Sequence, residues 1–157
     1  MAGVGRRFVY ALVAASVAWP ALLFSVIVPG PGGDGPAWRP LVLLASSRVC
    51  HRIPDRSFTT AGLQWAVCGR CSGLYLAAPI GALGALLLAG RRRRSHARWL
   101  ALAALPTAVT MGFEWLGLAP VSNFARLLAA LPLGAAVAFV VVSVAGEPAP
   151  IGYTRRR

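Results

Sequence analysis

Lysine is absent from this sequence: all 16 basic residues are arginine. Acids are scarce, at four: Asp34, Asp55, Glu114 and Glu147. Histidine occurs twice and cysteine three times in 157 residues. Charged residues make up 13% of the chain, against roughly 25% in an average soluble domain. So little charge beside 57% hydrophobic residues excludes a disordered chain. Glycine and proline without a period exclude a collagenous one. A mean hydropathy of +0.67 points away from a soluble globule. The net charge of +12 would suit nucleic acid. Here, however, the arginines lie between long apolar runs instead of studding amphipathic helices. The partner implied is a lipid bilayer and not nucleic acid.

Four apolar runs are long enough to span. Phe8 to Val28 carries no charge; at about 1.5 Å per residue it reaches about 31 Å, the depth of a bilayer core. Cys71 to Gly90 is a second run, Trp99 to Leu118 a third broken only by Glu114, and Leu127 to Ala145 a fourth. The expected fold is all-α: one membrane domain over residues 1–157, a four-helix transmembrane bundle with an outward-facing Cys/His segment. The spans are placed at about 8–28, 71–90, 99–118 and 127–145. Residues 41–70 form an outer loop and short helix that carries the Cys/His motif. Leu41 to Ala45 is apolar but too short to cross. Pro29 to Pro40 reads as a Pro/Gly-rich loop, and the tail after Gly146 as frayed. The first run follows Arg6-Arg7, as a cleaved signal would. Its apolar stretch is longer than the usual ~7–15 residues and lacks a small-x-small cleavage site. It reads as a retained helix.

The arginines orient the bundle. With four spans, both termini and the loop from Arg91 to Arg98 share one side, which holds ten arginines against six on the other. The richer side is expected to be cytoplasmic. The protein would then sit in the cell (inner) membrane, multi-pass, with both termini inside. Small residues on the second helix (Ala77, Gly81, Gly84, Ala85) suit close helix packing. Pro20, Pro79, Pro106 and Pro132 fall one in each span, as kinks that a packed bundle tolerates.

The chemistry begins at Arg48. All three cysteines fall in R-V-C-H-R-I-P-D-R-S-F-T-T-A-G-L-Q-W-A-V-C-G-R-C-S-G-L-Y. Cys68 and Cys71 form a C-x-x-C, the common half of a zinc site, because such a loop lets two thiolates converge on one ion about 2.3 Å away. Cys50 and His51 would complete a tetrahedron, given an irregular backbone that aims adjacent residues at one point. Three thiolates and a water, with His51 behind them, fit equally well and leave the open position a catalytic metal needs. The cofactor implied is zinc or another transition metal. A Cys68–Cys71 disulfide or thiol redox pair is the rival, and inert buried cysteines are the plain alternative. Ser72 in place of histidine argues against covalent haem.

Arg56 and Arg70 flank the thiols, and Arg126 opens the fourth helix. Their guanidinium forks suit an anion such as a lipid headgroup or small-molecule ligand. A solvated basic patch is the plain alternative. Glu114 is an acid inside a span, where an unpaired carboxylate is costly. It is a candidate ligand, general base or arginine partner, with Arg126 the obvious one. Ser122 and Asn123 read as helix caps, and His96 as a surface residue. Charge-derived topology places the cysteines, His51, Glu114, Asn123 and Arg126 together at the outer face.

These residues resemble the small membrane proteins catalogued as domain of unknown function 2085. The resemblance is carried by Cys50-His51, Pro54-Asp55-Arg56-Ser57-Phe58, Gly62 and Cys68-Gly69-Arg70-Cys71-Ser72-Gly73-Leu74-Tyr75. Glu114, Ser122-Asn123 and Arg126 follow it more loosely. Arg52, Glu114 and Ala129-Ala130 depart from the pattern. The resemblance implies an integral membrane protein with a shared site and no particular reaction. Three functions follow. The first is a metalloprotein with Cys50, Cys68, Cys71 and His51 as ligands, Glu114 and His51 as catalytic groups, and Arg56, Arg70 and Arg126 as an anion clamp. The others are a thiol–disulfide membrane protein and a structural or assembly subunit.

Overall fold

The computed structural model describes residues 2–30, 32–88 and 96–146. The run Arg91 to Arg94 and the tail with Arg155 to Arg157, both used for topology, lie outside the described residues. The chain is mostly helical. The helices are α1 (Ala2–Ser25), α2 (Arg39–Ser46), α3 (Gly69–Leu87), α4 (His96–Trp115) and α5 (Asn123–Ala145), with a short hairpin, β1 (Ser57–Thr60) and β2 (Leu63–Cys68), between α2 and α3.

The hairpin corrects the all-α expectation. Its strands pair antiparallel, with Ser57 opposite Cys68 and Thr60 opposite Leu63. The two-residue turn places Ala61 at φ 50° and Gly62 at φ 79°. Two successive positive φ values match the twist of a hairpin. Glycine adopts this freely, whereas alanine is strained there. The hairpin packs on α1 and α2 around Leu23, Val26, Val42, Ala66 and Val67. Trp65 stacks edge-on against Phe24, with ring centroids 5.1 Å apart. Arg39 ties the layers together: its guanidinium donates to the carbonyls of Val26 at 2.9 Å and Gln64 at 3.3 Å.

Helices α3 and α5 form the tightest pair. A Cβ on Gly81 would strike the Ala135 carbonyl, and one on Gly134 the Leu74 carbonyl. Only glycine lets the two backbones approach so closely. Helix α1 seals one end through Val9 against Ala82, Ala85 and Val142. Helix α4 has no fully buried residue. It rests on α5, where the Thr107 hydroxyl donates to the Ala129 carbonyl at 2.8 Å. An apolar cavity of about 500 Å³ opens between α3, α4 and α5, with Gly84 and a half-buried His96 on its wall.

Three helices among the described residues are long and apolar enough to cross a membrane: Gly5–Ser25, Gly69–Leu87 and Asn123–Ala145. Helix α4 has a comparable 20 residues, but Arg98, Thr107, Thr110 and Glu114 dilute its apolar character. Proline stands inside α1, α3, α4 and α5. Ile80, Leu87, Leu102 and Val141 face outward, as a lipid-facing surface requires.

Candidate metal centre

Two stretches of chain bring the cysteines together, the loop after α2 with Cys50 and the β2–α3 junction with Cys68 and Cys71. Helix α2 ends at Ser46, and the Cys50 amide donates back to the Ser46 carbonyl at 2.9 Å. The backbone then leaves helical geometry, and Arg52 enters the left-handed region at φ 46°. Non-glycine residues there cost energy and cluster at functional sites. The Gln64 side chain holds that corner by donating to the Arg52 carbonyl at 3.1 Å. Cys68 ends β2 and is the N-cap of α3, and Cys71 lies in the first turn of α3. The C-x-x-C therefore opens a helix, whose positive dipole end favours anionic groups.

Cys50, Cys68 and Cys71 are free thiols. Their sulfurs all lie within 4.8 Å of one another. Sulfurs sharing one tetrahedral zinc stand about 3.8 Å apart at Zn–S distances of about 2.3 Å, so small side-chain rotations suffice to fit an ion. Cys50 is buried, and its sulfur accepts from the Cys68 amide at 3.3 Å. Hydrogen bonds from the Cys68 and Cys71 thiols, aided by the Cys68 and Arg52 amides, hold the Cys50 thiol far below the usual thiol range against the opposing effect of burial. Cys50 is thus the thiolate of the group, and the two donor thiols keep their protons until a cation displaces them.

His51 is not in this sulfur group. It is exposed and stands on the wall of a cavity of about 190 Å³ that the three cysteines also line. Arg52, Arg56, Arg70 and Arg126 also line it, beside Val49 and Ile53. Arg56 is exposed, whereas Arg70 and Arg126 are largely buried.

Behind the cavity lies Glu114. Its two oxygens accept from Arg70 Nη1 at 3.1 Å and Arg126 Nε at 2.6 Å. Its side chain is only 9% exposed. Two cations against one carboxylate leave a surplus positive charge beside the sulfurs. Pairing removes the cost of a lone buried acid. A general base would first have to give up one of these bonds.

Ser122 caps α5, accepting from the Ala125 amide at 3.1 Å. Asn123 is no cap. Its amide donates to the Ser57 carbonyl at 3.1 Å, and its oxygen accepts from Arg126 Nη1 at 2.5 Å. It thereby pins the hairpin to α5. Neither Asn123 nor Gln64 was recognisable as a tie, because a hydrogen bond to a distant carbonyl has no spacing signature. Arg70 as a partner of Glu114 was equally hidden, although its place inside C-x-R-C is a signal.

The profile of the family described as "Predicted membrane protein (DUF2085)" matches residues 50–140. The chain belongs to this family. The matched region starts at Cys50 and takes in every residue of the cavity, Glu114 and Arg126 except Val49 on its rim. An uncharacterized protein of Methanothermobacter thermautotrophicus is 30% identical over 98 residues, covering 62% of this chain and 88% of that one. Another, from Methanocaldococcus jannaschii, is 28% identical over 100 residues, covering 62% of this chain and 64% of that one. No solved structure matches the chain. The DUF2085 region thus contains the cysteine and arginine site together with α3, α4 and most of α5, and leaves out α1 and α2.

Proposed function

We propose that this DUF2085 protein is a metal-binding protein of the cell membrane that holds one transition-metal ion, zinc first, at Cys50, Cys68 and Cys71. The observation that carries the reading is the gathering of three sulfurs from a loop, a strand end and a helix start within 4.8 Å. Three thiolates leave one tetrahedral position open, where zinc accepts water or an anion and polarises it. His51 stands on the same cavity wall and serves as a proton carrier or a fourth ligand. Arg56, Arg70 and Arg126 receive an anionic lipid headgroup or small anion. Glu114 positions two of these arginines.

In this reading α4 crosses with the other three long helices as a fourth span. Both termini then lie in the cytoplasm, with the site at the outer face. The placement accounts for Glu114 being paired at α4's end and for Thr107 turning toward α5.

A second reading has its own support: a C-x-x-C opening a helix is also how thiol–disulfide exchange presents its cysteines. One experiment separates the two. Metal is measured by mass spectrometry on detergent-purified protein, beside the Cys68→Ser variant and a thiol count. The expected result is about one ion per chain, lost in the variant, as three-thiolate coordination requires. A metal-free wild type with a Cys68–Cys71 disulfide would overturn the metal reading in favour of redox chemistry.

A further inference from the structure

Arg70 is the odd member of the cavity wall. Its Nη1 is bonded to Glu114, but its Nε and Nη2 are buried without a hydrogen-bond partner among the described residues. Nε and Nη2 form one edge of the guanidinium, the fork that grips two oxygens of one anion. Leaving two donors of a buried cation unspent costs free energy, and such orphans call for a partner, a water or a bound group. Arg126 differs: Glu114, Asn123 and the Asp55 carbonyl engage its Nε and Nη1.

The charge around the cavity points the same way. Four arginines line it, and among the described residues Glu114 is the carboxylate bonded to them. With the three thiolates and the dication of the proposed metal site counted as well, two positive charges are left over, which suits a ligand with more than one negative charge. Donors approach from β2–α3 (Arg70), from the Pro54–Arg56 turn (Arg56) and from α5 (Arg126), so its oxygens must point in several directions. A carboxylate offers two coplanar oxygens, whereas a phosphate-type oxyanion offers three or four in a tetrahedron. The volume of about 190 Å³ is below the ~300–1,000 Å³ of drug-sized pockets. It admits a phosphate group and a short substituent, with any longer part left outside.

We infer that the cavity beside the three cysteines is a binding site for a phosphate-type oxyanion, met by Arg56 and Arg70 on its wall, with the Arg70 head pivoting on its Glu114 bond to bring its unspent, buried Nε/Nη2 edge to the anion. The inference deepens the proposed function, since the anion shares the cavity with the metal. Its own footing is the arginines. A free phosphate and the phosphomonoester headgroup of a lipid present the same chemistry.

The test is equilibrium dialysis of radiolabelled inorganic phosphate against detergent-purified full-length protein, with metal content measured on the same sample. Saturable binding of one phosphate per chain is expected. Arg70→Lys, which keeps the charge facing Glu114 but lacks the fork, and Arg56→Gln should each weaken it about tenfold, the loss of a bidentate or charge-assisted contact. Arg56 is exposed, so its variant is informative even if Arg70→Lys does not fold. Short-chain phosphatidic acid is then added as competitor. Displacement of phosphate identifies a lipid source, and no displacement a soluble one; either follows only once phosphate has bound. Absence of saturable phosphate binding, or binding unchanged in Arg56→Gln and in every folded Arg70 variant, overturns the inference. Metal without phosphate binding would leave the metal reading standing. Phosphate binding without metal would do the reverse.

Discussion

Arg70 donates to Glu114 across 44 residues, at 3.1 Å, while the next residue, Cys71, joins the sulfur cluster. One turn of helix therefore links the ion-pair network to the thiols. A change to either is felt by both.

Glu114→Gln removes the charge that two largely buried arginines share. Breaking such a network leaves cations uncompensated and costs on the order of 3 kcal/mol. Thermal unfolding in detergent should show a lower Tm, with Glu114→Asp between the variant and the wild type. An unchanged Tm would mean that the arginines find other partners.

Chelation should expose the thiols. With metal bound, Cys50, Cys68 and Cys71 are ligands and alkylate slowly. After a strong chelator all three should react, counted by intact mass. Equal reactivity before and after would count against a shared ion.

Gly81→Val places a branched side chain against the Ala135 carbonyl. Helix α3 must then move away from α5, at a cost of about 1–3 kcal/mol. The expected readout is a lower Tm and reduced membrane abundance. Gly84 faces the open cavity instead, with Phe139 no nearer than 3.7 Å to an added Cβ. Gly84→Ala should therefore be tolerated.

Ala61→Asn should stabilise the hairpin. Asparagine tolerates the left-handed conformation that strains alanine at φ 50°. A gain of up to about 1 kcal/mol is expected, seen as slower amide exchange in residues 57–68.

Long uncharged runs announced the helices, since each must bury its backbone polar groups and present an apolar surface. Their ends were displaced. The second run was placed from Cys71 and the fourth from Leu127, but α3 starts at Gly69 and α5 at Asn123. Arg70 and Arg126 are helical residues whose charge ends an uncharged stretch, and Asn123 is cut off behind Arg126. The hairpin was illegible for a related reason: Ala61-Gly62 lacks the Asn-Gly or Asp-Gly signature of its turn. The cysteines' spacing and the cost of a lone Glu114 pointed to one region of the molecule. Which donor meets which oxygen depends on helix rotation, and spacing along the chain does not encode that.

The site is assembled from parts that emerge in a fixed order. Synthesis runs from the N-terminus, so the last sulfur is in place at residue 71, long before Glu114 and Arg126. A chain stopped before α4 carries all three thiols, yet it presents Arg70 without the Glu114 counter-charge. The ion pairs are thus a completion mark: they close only when α4 and α5 are both in place.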